Sequence, residues 1–282
     1  MVKSNIVTLR KAKNSIMPLL CFLSAIYGIF WLFCILITLV IKGSEAFSLK
    51  LLYLDPTPPG VEGGGLRHAF VGHFIIVSLA TVIGIPIGIM AGIFFSEYGK
   101  RSRLFTVLRM ITDILVSVPT IIVGATVYAI LVKPLHHFNA LSGIVALSII
   151  IMPIVAITTN EMLKLVPNNL REAAYALGSY KWEVTLKVTV RAARNGILTG
   201  VLTGIARIIG ETAPLLFTSF SNQYLNLNIL KPMASLTVYI FNYVMGPYEY
   251  WHQQAWASAL ILTLIILLLF GITRLIIRER RK

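Results

Sequence analysis

Long apolar runs, separated by short charged stretches, set the layout of this chain. The runs are Met17 to Ile41, Ala69 to Phe95, Leu104 to Val132, Leu141 to Thr159, Gly196 to about Phe217, and Trp256 to about Ile277. Most reach the roughly 20 residues that a helix needs to cross a bilayer core about 30 Å thick. The pattern predicts an all-α, polytopic membrane protein with six transmembrane helices. Pro86 is placed to kink the second run, Pro119 lies inside the third, and Pro153 breaks the fourth. The first run is too long for the apolar region of a signal peptide, and no small-x-small cleavage site follows it promptly, so it reads as a retained span. By these boundaries residues 1–16 are an N-terminal tail, 17–41 the first span, 42–68 an excursion, 69–277 a core of five further spans, and 278–282 a basic tail. The excursion carries Asp55, Glu62, three prolines and Gly63 to Gly65, with FSLKLLYL as an interfacial stretch; a second one, 221–255, is rich in Tyr and Trp, as membrane interfaces are.

Small residues recur with a helical period inside two spans. Gly84, Gly88 and Gly92 form a flat stripe suited to close helix packing, and so do Gly196, Gly200 and Gly204. The second stripe runs into Arg207 and Glu211. At about 100° per residue all five positions fall within a sector of roughly 80°. A lone arginine at mid-bilayer costs about 2.5–3.5 kcal/mol, so its carboxylate four residues on is informative. The pair is read either as a self-neutralised structural bridge or as a functional charge at the protected interface that the glycines mark. Arg109 and Asp113 share the spacing but lie near a span end, where an arginine can snorkel to the headgroups.

Between the fourth and fifth spans, residues 160–194 break the apolar pattern. Asn169 and Glu172 have the spacing of a capping box, and Gly178 is placed to stop the helix after about two turns. Leu170, Ala173, Ala174 and Leu177 then share one face, whose two alanines admit close approach of another surface. In the helical run that follows, Glu183, Lys187, Arg191 and Arg194 share a face, with Trp182 and Leu186 on another.

Composition agrees with a membrane protein: 57% of the 282 residues are hydrophobic and 13% charged, about half the charged fraction of a soluble domain. The net charge of +14 would suggest nucleic acid, but its distribution argues otherwise. Eighteen Lys and Arg fall in the N-terminal tail, the 96–103 turn, the 160–194 loop and the C-terminal end, and five on the opposite side. That asymmetry places both termini and the 160–194 loop in the cytoplasm. Cys21 and Cys34 both lie in the first span, so no disulfide framework is implied. The chain has no G-x-x-x-x-G-K-[ST] loop. His68 with His73, and His136 with His137, lack the i, i+4 spacing of helical metal ligands and read as interfacial or loop histidines. No catalytic constellation, metal site or cofactor is indicated.

Two stretches carry a family resemblance. Glu172-Ala173-Ala174, three residues and Gly178 resemble the EAA loop of type I ABC importer permeases. The resemblance implies a coupling helix, with Arg171, Glu172, Ala173, Ala174, Leu177 and Gly178 at the ATPase. Where that family continues with Ile-x-Leu-Pro, this chain has Val188, Val190 and Arg191, without the proline. RIIGETAPLLFT, residues 207 to 218, is similar to the signature of PstA-type permeases of phosphate ABC importers, as are REAAYALGSYKWEV and the run from Gly65. This resemblance covers roughly residues 65 to 275. It implies a bacterial inner-membrane subunit that forms half of a phosphate pathway. The implied partners are a PstC-type second permease, two PstB-type ATPase subunits and an external PstS-type phosphate-binding protein. Arg207, Glu211, Thr212 and Pro214 are then expected along the path, since a guanidinium fork suits phosphate oxygens. The rival readings are an ion- or proton-coupled secondary transporter using Arg207 and Glu211, and a membrane-embedded enzyme, for which no polar constellation is visible.

Overall fold

The computed structural model describes residues 2–99 and 102–279, with side chains given at residue 14 and within 16–272. Lys100, Arg101, the tail from Arg280 to Lys282, and the side chains of Lys3, Arg10, Lys11 and Lys13 lie outside the described residues. Among the described residues, all regular structure is helical. The elements are α1 (Val2–Glu45), α2 (Lys50–Tyr53), α3 (Arg67–Ile93), α4 (Arg103–Ser117), α5 (Thr120–Val127) and α6 (Lys133–Leu135). They continue with α7 (Ala140–Lys164), α8 (Asn168–Ala176), α9 (Lys181–Glu183), α10 (Val190–Ile209), α11 (Ala213–Phe217), α12 (Leu236–Val244) and α13 (Glu249–Glu279). π-helical turns extend α3 through Tyr98, join α5 to α6, and join α9 to α10.

Helix α7 is the axis of the fold. Two thirds (67%) of its apolar window is buried, and both glycine stripes pack on it. A Cβ on Gly88 would stand 2.8 Å from the Val155 side chain and from the Met152 carbonyl, and one on Gly92 2.6 Å from Thr159. Gly84 meets Ile151. From the other side Gly196 meets Met162, Gly200 stands 2.7 Å from the Thr158 Cβ, and Gly204 3.0 Å from Ile151. Without hydrophobic drive between helices in lipid, such close backbone approach supplies the packing energy. Ile144, Leu147, Ile151 and Val155 of α7, Ile76 of α3 and Ile208 of α10 form the main core. Ser148 donates to Ile144 O at 2.7 Å and to Ala80 O of α3 at 3.3 Å, so its hydroxyl is satisfied inside that contact.

The six apolar runs do not become six straight spans. Among the described residues, four helices are long and apolar enough to cross a membrane: 16–45, 67–98, 140–164 and 249–272. The expected third span divides at Val118–Pro119 into α4 and α5, bent by 108°. Val118 is extended there, with ψ 131°, because a residue preceding proline is driven from the helical region. The run expected as the fifth span is not among these four: its helix, α10, begins earlier than expected, at Val190, and ends at Ile209, with α11 beyond the break. Pro153, expected to break the fourth span, lies within continuous α7, and α3 likewise runs through Pro86. Neighbouring helices and local adjustment make prolines tolerable in membrane helices. The predicted tail 1–16 is helical from Val2, continuous with the first span.

Helix α1 stands almost free: none of its apolar window is buried. Its far end touches α13, where Lys42 lies over the Trp256 ring and Gly43 packs on Leu260. The two excursions fold against each other. Tyr250 Oη accepts from Gly60 N, and Gln254 Nε2 donates to Gly63 O, both at 2.9 Å. Tyr243 stacks on Trp251 at 4.8 Å, and Tyr239 and Tyr243 are buried. These aromatics, expected at a lipid interface, therefore build a packed cap. His68 and His73 are also corrected: both are buried on α3, His68 edge-on to Tyr239 at 4.5 Å. His136 and His137 are exposed.

Candidate functional site

Two regions concentrate polar side chains on this apolar scaffold. The first is the break between α10 and α11. Pro214 has no N–H to offer the Gly210 carbonyl, and here the helix ends at Ile209 and does not run past the proline as α3 and α7 do. It closes instead with Gly210 N and Glu211 N on the carbonyls of Arg207 and Ile208, at 3.2 and 3.3 Å. Arg207 therefore occupies the last turn of α10 rather than mid-helix, where the negative helix end favours a cation by roughly 0.3–1 kcal/mol. Its Nε lies 3.6 Å from Glu211 Oε1, an ion pair across the helix end.

The two charges differ sharply in exposure, with 52% of the Arg207 side chain accessible against 13% for Glu211. The glycine stripe is turned to α7 while Arg207 opens onto the surface of the chain. The expected common interface for glycines and charges is thus split. Thr237 of α12 fixes the break by donating from Oγ1 to Glu211 O at 2.9 Å. Thr212 is half-buried, its carbonyl accepting from Leu215 N and Leu216 N at 3.1 Å. Pro214, expected along a path, is buried. Gly124 of α5 sits so close that a Cβ there would be 2.6 Å from the Pro214 Cα. Pro214 thus joins the two broken spans. Gly124 inside TIIVGATV was an available signal for this contact; nothing in the sequence marked Thr237.

The second region is α8 and its continuation. Its N-cap is Pro167, and the helix starts at Asn168 with no side-chain cap, so the capping box expected of Asn169 and Glu172 does not form. Asn168 Oδ1 instead accepts from Arg171 Nη1 at 3.2 Å. The stop at Gly178 has φ +81°. Gly178 N bonds to Tyr175 O at 2.9 Å and Ser179 N to Ala174 O at 3.2 Å, the paired bonds of a Schellman ending. The glycine can take this left-handed conformation without steric cost.

The predicted apolar face divides. Ala174 is buried against its own chain, while Leu170, Glu172, Ala173 and Leu177 face outward, Leu177 with 87% exposure. Tyr180, Trp182 and Leu186, which follow in the chain, are also exposed. Arg171 turns inward and is tied to Glu97 at the end of α3. The linker is braced by Glu183, which accepts from Lys187 Nζ at 2.8 Å and from Tyr180 N at 3.2 Å. The lysine holds the Glu183 carboxyl below its ordinary pKa, aided by the Tyr180 N–H. No proline interrupts Val188 to Arg191, and the helix runs unbroken from the π turn into α10.

Arg109 and Asp113 pair at 3.2 Å on α4, in an open groove of about 650 Å³ that also includes Thr106, Ser117 and Pro119. Among the described residues no three His, Cys, Asp or Glu are grouped to hold a metal ion, and both cysteines are free.

Residues 84–282 match the family described as binding-protein-dependent transport system inner membrane component. The chain is 47% identical to the phosphate transport system permease protein PstA of Yersinia pestis, over 96% of this chain and 92% of that one. Identity is also 47% to the protein of that name from Haemophilus influenzae, over 96% of each chain. It is 36% to a probable phosphate transport system permease protein PstA from Methanocaldococcus jannaschii, over 93% of each. Among solved structures, the fold is similar to a chain of the inward-facing MetNI methionine ABC transporter, with TM-score 0.58 at 18% identity, covering 76% of this chain and 94% of that one. An amino acid ABC transporter gives a TM-score of 0.57 at 17% identity, covering the same shares. The α7-centred helical fold and a match that spans both polar regions lead to one assignment: the chain belongs to the family of binding-protein-dependent transport system inner membrane components.

Proposed function

We propose that this chain is a permease subunit of an ATP-driven phosphate importer and forms half of the translocation pathway. The observation that carries the proposal is the 47% identity, over nearly the whole length, to proteins named as phosphate transport permeases. The geometry supports it. A half-exposed guanidinium among apolar helices would cost about 2.5–3.5 kcal/mol if lipid covered it at bilayer depth. It needs water, an anion or a second protein surface. A second permease of the PstC type laid against this face would enclose Arg207 in a pathway between the subunits. There the guanidinium offers the phosphate a planar multi-donor fork, and Glu211 balances it when the path is empty. Thr212, half-buried beside the pair, is the other candidate to meet the anion. One arginine with a loose partner suits a site that must also release its cargo.

The outward side of α8 is the docking surface for a PstB-type ATPase. Leu170, Ala173 and Leu177 present a short apolar strip, Glu172 a charge beside it, and Gly178 ends the helix where the chain turns away. The basic side of the molecule is cytoplasmic by the charge asymmetry, so α8 faces the compartment that holds ATP. The opposite cap of packed excursions is where a PstS-type binding protein delivers phosphate. Purification of the tagged chain from membranes, with identification of what comes with it, tests the assembly. A second permease and an ATPase in a one-to-two ratio to each permease pair are expected. A chain that purifies alone and transports phosphate on an ion gradient would contradict it.

A further inference from the structure

We propose that Arg171 is a positioning residue that carries ATPase motion from α8 into the membrane-spanning helices. The inference rests on the reading of α8 as the docking helix. A nine-residue helix has little stability of its own, and it hangs between two short linkers. A load applied to its outer face would be absorbed there unless α8 were tied to something rigid. Arg171 supplies the tie. Its Nη1 donates to Val166 O and Asn168 Oδ1 at 2.6 and 3.2 Å, and its Nη2 to Leu163 O and Glu97 Oε1 at 2.8 and 2.9 Å. One side chain thus binds α8, the end of α7 and the π turn that ends α3. The ion pair is largely enclosed, with side-chain exposure of 14% for Arg171 and 10% for Glu97. Ser96 Oγ donates to the same Glu97 oxygen at 3.0 Å and holds it in place. Beneath the tie, Leu163 and Val166 pack with Ala193 and Ile197 of α10.

The connection continues upward through contacts already described. Gly92 seats α3 on Thr159 of α7 immediately before the π turn, and Gly204 seats α10 on Ile151 one turn before Arg207. Displacement of α8 therefore moves α3 and α7 together, and α7 bears on the helix that ends at the exposed arginine. Lysine cannot reproduce this role, because an ammonium lacks the fork that reaches several acceptors at once.

The test uses the whole importer in proteoliposomes, with phosphate uptake and ATP hydrolysis measured on the same sample. Arg171→Met and Glu97→Gln should keep the ATPase bound and hydrolysing while phosphate moved per ATP falls by about tenfold, with Arg171→Lys intermediate. An unchanged ratio in assembled Arg171→Met or Glu97→Gln would overturn the proposal, and so would equal loss of hydrolysis and uptake, which a mere scaffold predicts. If Arg171→Met does not assemble, Glu97→Gln, which keeps the shape of the side chain, decides by the same ratio. Leu177→Asp serves as the separate arm. Retention of the ATPase by that variant would refute docking at α8, whatever the ratio shows.

Discussion

At the scale of single residues, the structure separates side chains that the sequence had grouped by spacing alone. Ala173 and Ala174 are neighbours in the EAA pattern, yet one faces outward and the other its own chain. Leu177→Asp is therefore expected to release the ATPase from an otherwise intact subunit, as read by co-purification. Ala174→Asp should instead destabilise the subunit itself, because it buries an unpaired carboxylate. It should lower the yield of folded protein on gel filtration before any docking defect is seen. Gly178→Val forces a β-branched residue to φ +81°, at a cost of about 1–2 kcal/mol. The expected sign is faster proteolysis in 177–181 with membrane insertion retained. Equal protease resistance in the variant would show that the Schellman ending is not needed to hold α8. Arg171 was grouped with the docking residues by its place in the motif. Only the fold reveals its inward turn, since three of its four partners lie 5, 8 and 74 residues away.

At the scale of elements, hydrophobic patterning located each apolar segment, because burial in lipid or protein demands apolar side chains whatever the path of the backbone. It could not tell a straight span from a broken one. Leu104 to Val132 contains Pro119 and bends by 108°, whereas Leu141 to Lys164 contains Pro153 and continues unbroken. The difference lies in the neighbours. α7 is clamped on two sides by glycine stripes, while α5 turns to meet α11 through Gly124 and Pro214. The stripes on α3 and α10 were legible as close-packing surfaces from their four-residue period, but the shared partner α7 was not. Gly88→Leu and Gly200→Leu should consequently act within the subunit. Each places a branched side chain where even a Cβ would stand within 2.8 Å of α7, and overpacking of this kind costs about 1–3 kcal/mol or more. Thermal unfolding of the purified subunit in detergent should shift down for each variant. Unaltered unfolding with loss of the second permease would place the stripes at the subunit interface instead.

At the scale of the whole molecule, the proposed topology rests on the charge asymmetry along the chain. Cysteine labelling in cells should find Lys13 and Lys181 accessible from the cytoplasm, and Glu62 and Tyr248 from outside; external labelling at Lys181 would contradict the placement of α8. On the proposed function, the exposed Arg207 is enclosed by the second permease. The central claim is that Arg207 meets the translocating phosphate, and ATP-dependent uptake of labelled phosphate by the reconstituted importer tests it most directly. Arg207→Gln should abolish or severely reduce uptake while the complex still assembles, and Arg207→Lys should restore it only in part, since the charge remains but the fork is lost. Arg207→Gln combined with Glu211→Gln should be as inactive as Arg207→Gln alone. If the pair serves only to hold the α10 break together, removing both charges should bring transport back, and near-normal uptake by that double variant would contradict the account.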